Sequence, residues 1–163
     1  MGTVSTILDK IFGLLKLIGM AALTCLMLLT VADVIGRYFK HPVFGSVEIT
    51  GFLALITVAA ALPFTYRADG HVGVEILVRL FSRKTQLVID LCTRFLTLVL
   101  FILITWQMVL YAGSIHTSGE VSMNLNFPTY YIIYLLAAGL LLFCITILES
   151  FFSTLRQLRE LNI

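Results

Sequence analysis

Four long apolar runs, interrupted by short polar stretches, constrain this chain more than any other feature: about Leu14 to Ile35, Glu48 to Tyr66, Leu87 to Ala112 and Pro128 to Ser150. Each is close to the ~20 residues that cross ~30 Å of hydrocarbon. Lipid offers no hydrogen-bond partner to backbone N–H and C=O groups, so runs of this length are predicted as helices rather than strands. Composition agrees: of 163 residues 60% are hydrophobic and 12% charged, a balance that a water-soluble domain could not hide. The expected architecture is a single all-α transmembrane domain of four helices over 1–163, with both termini on one side.

Lysine and arginine indicate which side. The face shared by the termini and the middle loop carries Lys10, Lys16, Arg67, Arg79, Arg83, Lys84, Arg156 and Arg159, with Arg94 just inside the third span. The other face has Arg37 and Lys40, so nine basic residues stand against two. By the positive-inside rule both termini are expected in the cytoplasm. The external loops then run from about Tyr38 to Val47 and from about Gly113 to Phe127.

The first apolar run follows two lysines, as in a signal peptide, but it is long and lacks a persuasive cleavage site, so it is read as an uncleaved helix. The opening "MGTVST" matches the loose myristoylation pattern, which a polytopic protein has little use for. Cys25, Cys92 and Cys144 fall in three different spans, without ligand or disulfide spacing, and read as free thiols.

Charged groups near hydrocarbon cost at least ~2.5 kcal/mol unless they snorkel or pair, which directs attention to a few positions. Asp33 and Arg37, four apart at the external end of the first span, are expected to pair, and Asp90 and Arg94 repeat that spacing at the start of the third. A proton or ion relay is the functional reading of these pairs, and a neutralised helix end the structural one. Glu48 opens the second span, where it can contact a partner or cap its own helix. The span centres carry no acidic, basic or histidine side chain, and His41, His71 and His116 fall in loops. A proton-coupled pump or a haem-bearing bundle would need such groups inside the membrane. No phosphate loop, H-E-x-x-H motif or nucleophile beside a histidine base is present, so no enzymatic activity is expected. Trp106, Tyr130, Tyr131 and Tyr134 read as anchoring or packing aromatics.

The loop sequences carry a resemblance. "DVIGRYF" closing the first span, Glu48 opening the second, "RADGHVGVEIL" after it and "SGEVSMNLNFPTYY" before the fourth occur in an order and spacing similar to the small membrane subunit (DctQ-like, Q subunit) of tripartite ATP-independent periplasmic (TRAP) transporters. The matching positions are Arg37, Tyr38, Glu48, Gly70, His71, Val74, Glu75, Leu77, Gly119, Glu120, Leu125 and Pro128. Departures are Val47 where an acidic residue is frequent, Glu75 for an aspartate, and Tyr130 and Tyr131 where a tryptophan follows the proline.

The resemblance implies partners rather than a reaction: a periplasmic binding protein that delivers a small organic acid, such as a C4-dicarboxylate or a sialic acid, and a large multi-span permease that carries it with sodium. Sodium would be used by that large subunit, with no cofactor in this chain and no nucleic-acid partner. The chain itself would widen the stationary scaffold in the bacterial inner membrane. Two other classes stay open: a stand-alone small transporter or channel, and a membrane-anchor or electron-transfer subunit of another complex.

Within "YRADGHVGVEILVRLFSRK", Val74, Ile76, Leu77, Leu80 and Phe81 share one helical face, while Glu75, Arg79 and Arg83 recur along the other, followed by Lys84. A short amphipathic helix over about 74–84 is expected to lie in the interface, its basic residues at anionic headgroups. The plainer reading is a basic loop that only enforces topology. Gly70 and Gly73 permit the turn into it, with His71 as a turn histidine or a pH sensor. Glu48, His116, Glu120 and Asn124 are expected on the external face, as candidates for docking the binding protein or as local loop structure.

Overall fold

The computed structural model describes residues 2–67 and 82–160, with side chains for 12–66, 82 and 84–160. Among the described residues the helices are α1 (Gly2–Tyr38), α2 (Ser46–Arg67), α3 (Arg83–Ser118) and α4 (Tyr130–Glu160). All four are long and apolar enough to cross a membrane. The segment 68–81 lies outside the described residues, and with it Gly70, His71, Val74, Glu75, Ile76, Leu77, Arg79, Leu80 and Phe81 of the expected interfacial helix. Arg83 and Lys84, assigned to the end of that segment, instead form the first turn of α3.

The helices exceed the apolar runs that predicted them. At 1.5 Å per residue the 22 residues of α2 span about 33 Å, close to one hydrocarbon thickness, whereas the 36 of α3 span about 54 Å. The polar ends are helical because each added backbone bond is internal, whether or not the side chain faces lipid. α3 stops where the sequence supplies glycine: Gly119 adopts the left-handed conformation (φ 68°), its N–H donating to Ile115 O, and the Glu120 N–H donates to the same carbonyl at 3.4 Å.

Packing order differs from chain order. α1 packs on α2, α2 on α4 and α4 on α3, so the helices stand in a row with α1 and α3 at its edges. Burial follows position: in the most apolar 18-residue stretch of each helix, 39% of α4 and 17% of α2 is buried, against 6% for each edge helix. The pairings Phe52–Phe127 and Tyr66–Phe143 make α2 and α4 parallel neighbours, and Phe95–Phe151 and His116–Tyr130 make α3 antiparallel to α4. Both loops described, 39–45 and 119–129, therefore share one end of the row.

Small residues set the crossings, as expected where lipid competes equally for large apolar side chains. Gly19 meets Ala60 between α1 and α2. Gly139 meets Ala59 between α2 and α4, so closely that a Cβ there would lie 2.8 Å from the Ala59 carbonyl oxygen. That carbonyl is special, because the residue four positions on is Pro63, which has no N–H to give it. Glycine lets α4 come against the carbonyl that proline has left free. Below this crossing Phe143, 4% exposed, stacks edge-on with both Tyr66 (5.5 Å) and Phe101 (4.6 Å), beside fully buried Thr146 and Ile147.

Candidate functional site: the clasped loop end

The end of α1 is turned back on itself by one carboxylate. Asp33 Oδ2 accepts from Arg37 Nε at 2.8 Å and its Oδ1 from the Val43 N–H at 3.1 Å. The sequence-predicted pair is thus joined by a third group, ten residues downstream, that fixes the loop as well as the helix end. The chain reverses tightly enough for the His41 N–H to donate to Gly36 O at 2.8 Å, and a Cβ on Gly36 would overlap the His41 carbonyl. Lys40 takes a positive φ of 62° in this reversal.

The second loop closes by its own bonds. The Ser122 N–H donates to Phe127 O at 2.9 Å, the Phe127 N–H to Ser122 Oγ at 3.2 Å and the Asn126 N–H to Ser122 O at 3.1 Å. An isolated bridge pairs Val121 with Pro128. This places Pro128 at the root of the loop, two residues before α4, rather than at the start of the span.

Glu48 ties α2 to the second loop. From the first turn of α2 its Oε1 accepts the Asn124 N–H at 2.7 Å and its Oε2 the Leu125 N–H at 3.0 Å. Sequence reasoning offered a partner contact or a cap on its own helix; the carboxylate instead holds the backbone of a loop 76 residues away. Two N–H groups converging on one carboxylate form charge-assisted bonds, stronger than neutral ones. Gly45, buried and at φ 69°, completes the fit, because a Cβ there would lie 2.9 Å from the Leu125 side chain. Phe52 and Phe127 stack 5.6 Å apart just beneath.

The other expected external positions fall around this clasp. Asn124 contributes its backbone to Glu48. The His116 ring packs edge-on against Tyr130 at 4.6 Å, while Glu120 is exposed just past the end of α3. Tyr130 in turn stacks with Tyr131 at 4.2 Å, above a buried cluster of Ala112, Ile115 and Ile133. Apolar side chains remain outward at this end, notably Tyr38, Phe44, Val47 and Met123.

At the opposite end Arg94 departs from expectation. Its guanidinium donates to Ser150 O on α4 at 2.9 Å and makes no ion pair with Asp90. The reason is competition: Arg94 is half-buried beside α4, where a helix carbonyl within reach is a better partner than an exposed carboxylate on its own helix. Lys16, also on this side, lies over the Phe64 ring at 5.3 Å, tying α1 to α2. Of the thiols, Cys25 and Cys92 are exposed and Cys144 lies 3.8 Å from Thr105 Oγ1.

Glu48 was singled out by its place at a helix start, and Asp33 by its spacing from Arg37. Their partners Asn124, Leu125 and Val43 contribute backbone N–H groups, which no residue type announces. Gly45 had one readable signal, a glycine immediately before a helix, but its neighbour Leu125 is far along the chain.

No curated protein matches the chain at a significant level. A family profile described as "Tripartite ATP-independent periplasmic transporters, DctQ component" matches residues 26–157. That stretch takes in both clasped loops, all of α2 and α3, and all but the last turn of α4, and the chain belongs to this family: it is the DctQ component of a TRAP transporter.

Proposed function

We propose that this chain is the stationary brace of a sodium-driven, binding-protein-dependent uptake system for a small organic acid, held against a large permease subunit in the bacterial inner membrane with both termini in the cytoplasm. The observation that carries the reading is the row of helices locked at its loop end. A brace has to resist shear while its partner moves, and here Asp33 holds the first loop to α1, Glu48 holds the second loop to α2, and Gly45 of the one meets Leu125 of the other. Row packing also gives the widest lateral surface that four helices can offer. Substrate and sodium would be handled by the large subunit.

The test is reconstitution. Proteoliposomes containing the large subunit with this chain should take up organic acid under an inward sodium gradient when binding protein is added, and vesicles with either subunit alone should not. Sodium-dependent uptake by this chain alone would overturn the reading in favour of a stand-alone transporter. Full uptake by the large subunit alone would remove the brace.

Two finer assignments belong to the same proposal. The outward side chains of the loop end, Glu120 foremost, would meet the binding protein, and the segment 74–82, ahead of α3, would anchor the opposite side at the lipid surface. Glu120→Arg should raise the binding-protein concentration needed for half-maximal uptake, and Leu77→Glu with Leu80→Glu should lower recovery of the complex. Unchanged values in the same vesicle assay would refute each in turn.

A further inference from the structure

α3 stands at one edge of the row, with Leu87, Ala112 and Ile115 buried and Arg94 bonded to α4. Its outward side is exposed at Leu96 (68%), Leu100, Leu103 and Leu110. Together with Gln107 and Ser114 these residues recur at alternating intervals of four and three (96, 100, 103, 107, 110, 114), the spacing by which one helix meets another at a shallow crossing. Leucines alone would suit lipid as well as protein. Gln107 does not.

The Gln107 side chain is exposed and has no hydrogen-bond partner among the described residues. It sits thirteen residues beyond Arg94 and five before Ala112, where the apolar run ends, or roughly 20 Å and 8 Å along the helix, and a helical side chain leans toward the helix N-terminus, away from the nearer interface. Four threonines of the spans, three of them exposed and Thr97 half-buried, solve the same problem locally. Thr24, Thr30, Thr93 and Thr97 each return a hydroxyl to the carbonyl one turn back, at 2.8–2.9 Å. A glutamine amide carries two donors and an acceptor, which in hydrocarbon call for a partner on another helix.

We propose that the seam centred on Gln107 is where a membrane helix of the large permease subunit docks, with the Gln107 amide bonded to a polar side chain or a free backbone carbonyl of that helix. The inference rests on the brace reading above and says which edge of the row is used. Trp106, 68% exposed, and Tyr111 flank the seam on its two sides. Such bulk would hold two identical α3 helices apart, but it fits the groove between helices of a larger partner.

Photo-crosslinking in membranes that contain both subunits tests this. Leu103→p-benzoylphenylalanine should give an adduct with the large subunit, and Leu28→p-benzoylphenylalanine, on the exposed flank of α1, should not. Gln107→Leu should cut recovery of the complex in mild detergent at least fivefold while unfolding at the same temperature as the unaltered chain, and Gln107→Asn should restore part of it. An adduct from position 28 but not 103, an adduct the size of two copies of this chain, or equal recovery with Gln107→Leu would each overturn the docking edge and leave the brace standing. Failure of the unaltered chain to recover any large subunit would remove the brace, and the docking edge with it.

Discussion

Replacing Gly139 with alanine should separate the two central helices. A Cβ at that position would lie 2.7 Å from Ala59 Cβ, 2.8 Å from Ala59 O and 3.0 Å from Ala59 Cα. Two of these are backbone atoms and cannot rotate away, so reaching ordinary contact of about 3.5–4.0 Å requires α2 and α4 to part by roughly 1 Å. Overpacking of this kind costs ~1–3 kcal/mol, against which alanine recovers up to ~1 kcal/mol of helix propensity. With the full propensity gain the net loss is up to ~2 kcal/mol, a factor of up to roughly 30 in the unfolding equilibrium. Gly51→Ala is the matched control, because nothing lies within 4 Å of its added Cβ and only the propensity gain applies. Titration of the purified variants with sodium dodecyl sulfate, followed by circular dichroism, should move the midpoint down for Gly139→Ala and slightly up for Gly51→Ala. Equal midpoints would mean that the α2–α4 crossing is looser than this geometry and that the fit between Gly139 and the Ala59 carbonyl is unimportant.

Glu48→Ala should release the second loop without unfolding the helices. Backbone amide exchange at Asn124 and Leu125 should quicken roughly tenfold or more, with exchange in α2 unchanged, and retained protection would show that the carboxylate is not their acceptor. Arg94→Met keeps the aliphatic stem but loses the bond to Ser150 O, which should cost ~0.5–1.7 kcal/mol in the same detergent titration, whereas Asp90→Asn should leave the midpoint where it is. A reversed order would restore the pairing along α3.

The helices were legible because hydrocarbon imposes one length and one backbone solution, and the four apolar runs satisfy both. Their order in space was not. Every span is apolar on all sides, so periodicity cannot say which face of α4 meets α2 and which meets α3. Short-range pairs such as Asp33 with Arg37 could be read from spacing, since four residues make one turn. Spacing failed at Asp90 and Arg94, where the better acceptor for the guanidinium, Ser150 O, is 56 residues away. It also failed at Glu48, whose partners are main-chain groups, and at Gly139, whose importance depends on a carbonyl freed by a proline in another helix.

The row has a consequence for biosynthesis. α4, made after the other three described helices, stands between α2 and α3, and α3 packs on no other of them to a comparable extent. While the chain is being inserted, the α1–α2 hairpin can form early, but α3 must wait beside it in the lipid. Arrival of α4 then fastens both halves in one event, joining α2 at Gly139 and α3 at Phe101, Phe95 and Arg94. Damage to α4 would therefore leave two fragments embedded in the same membrane, and a cell surveying its newly made subunits could judge all four helices by the fate of the fourth.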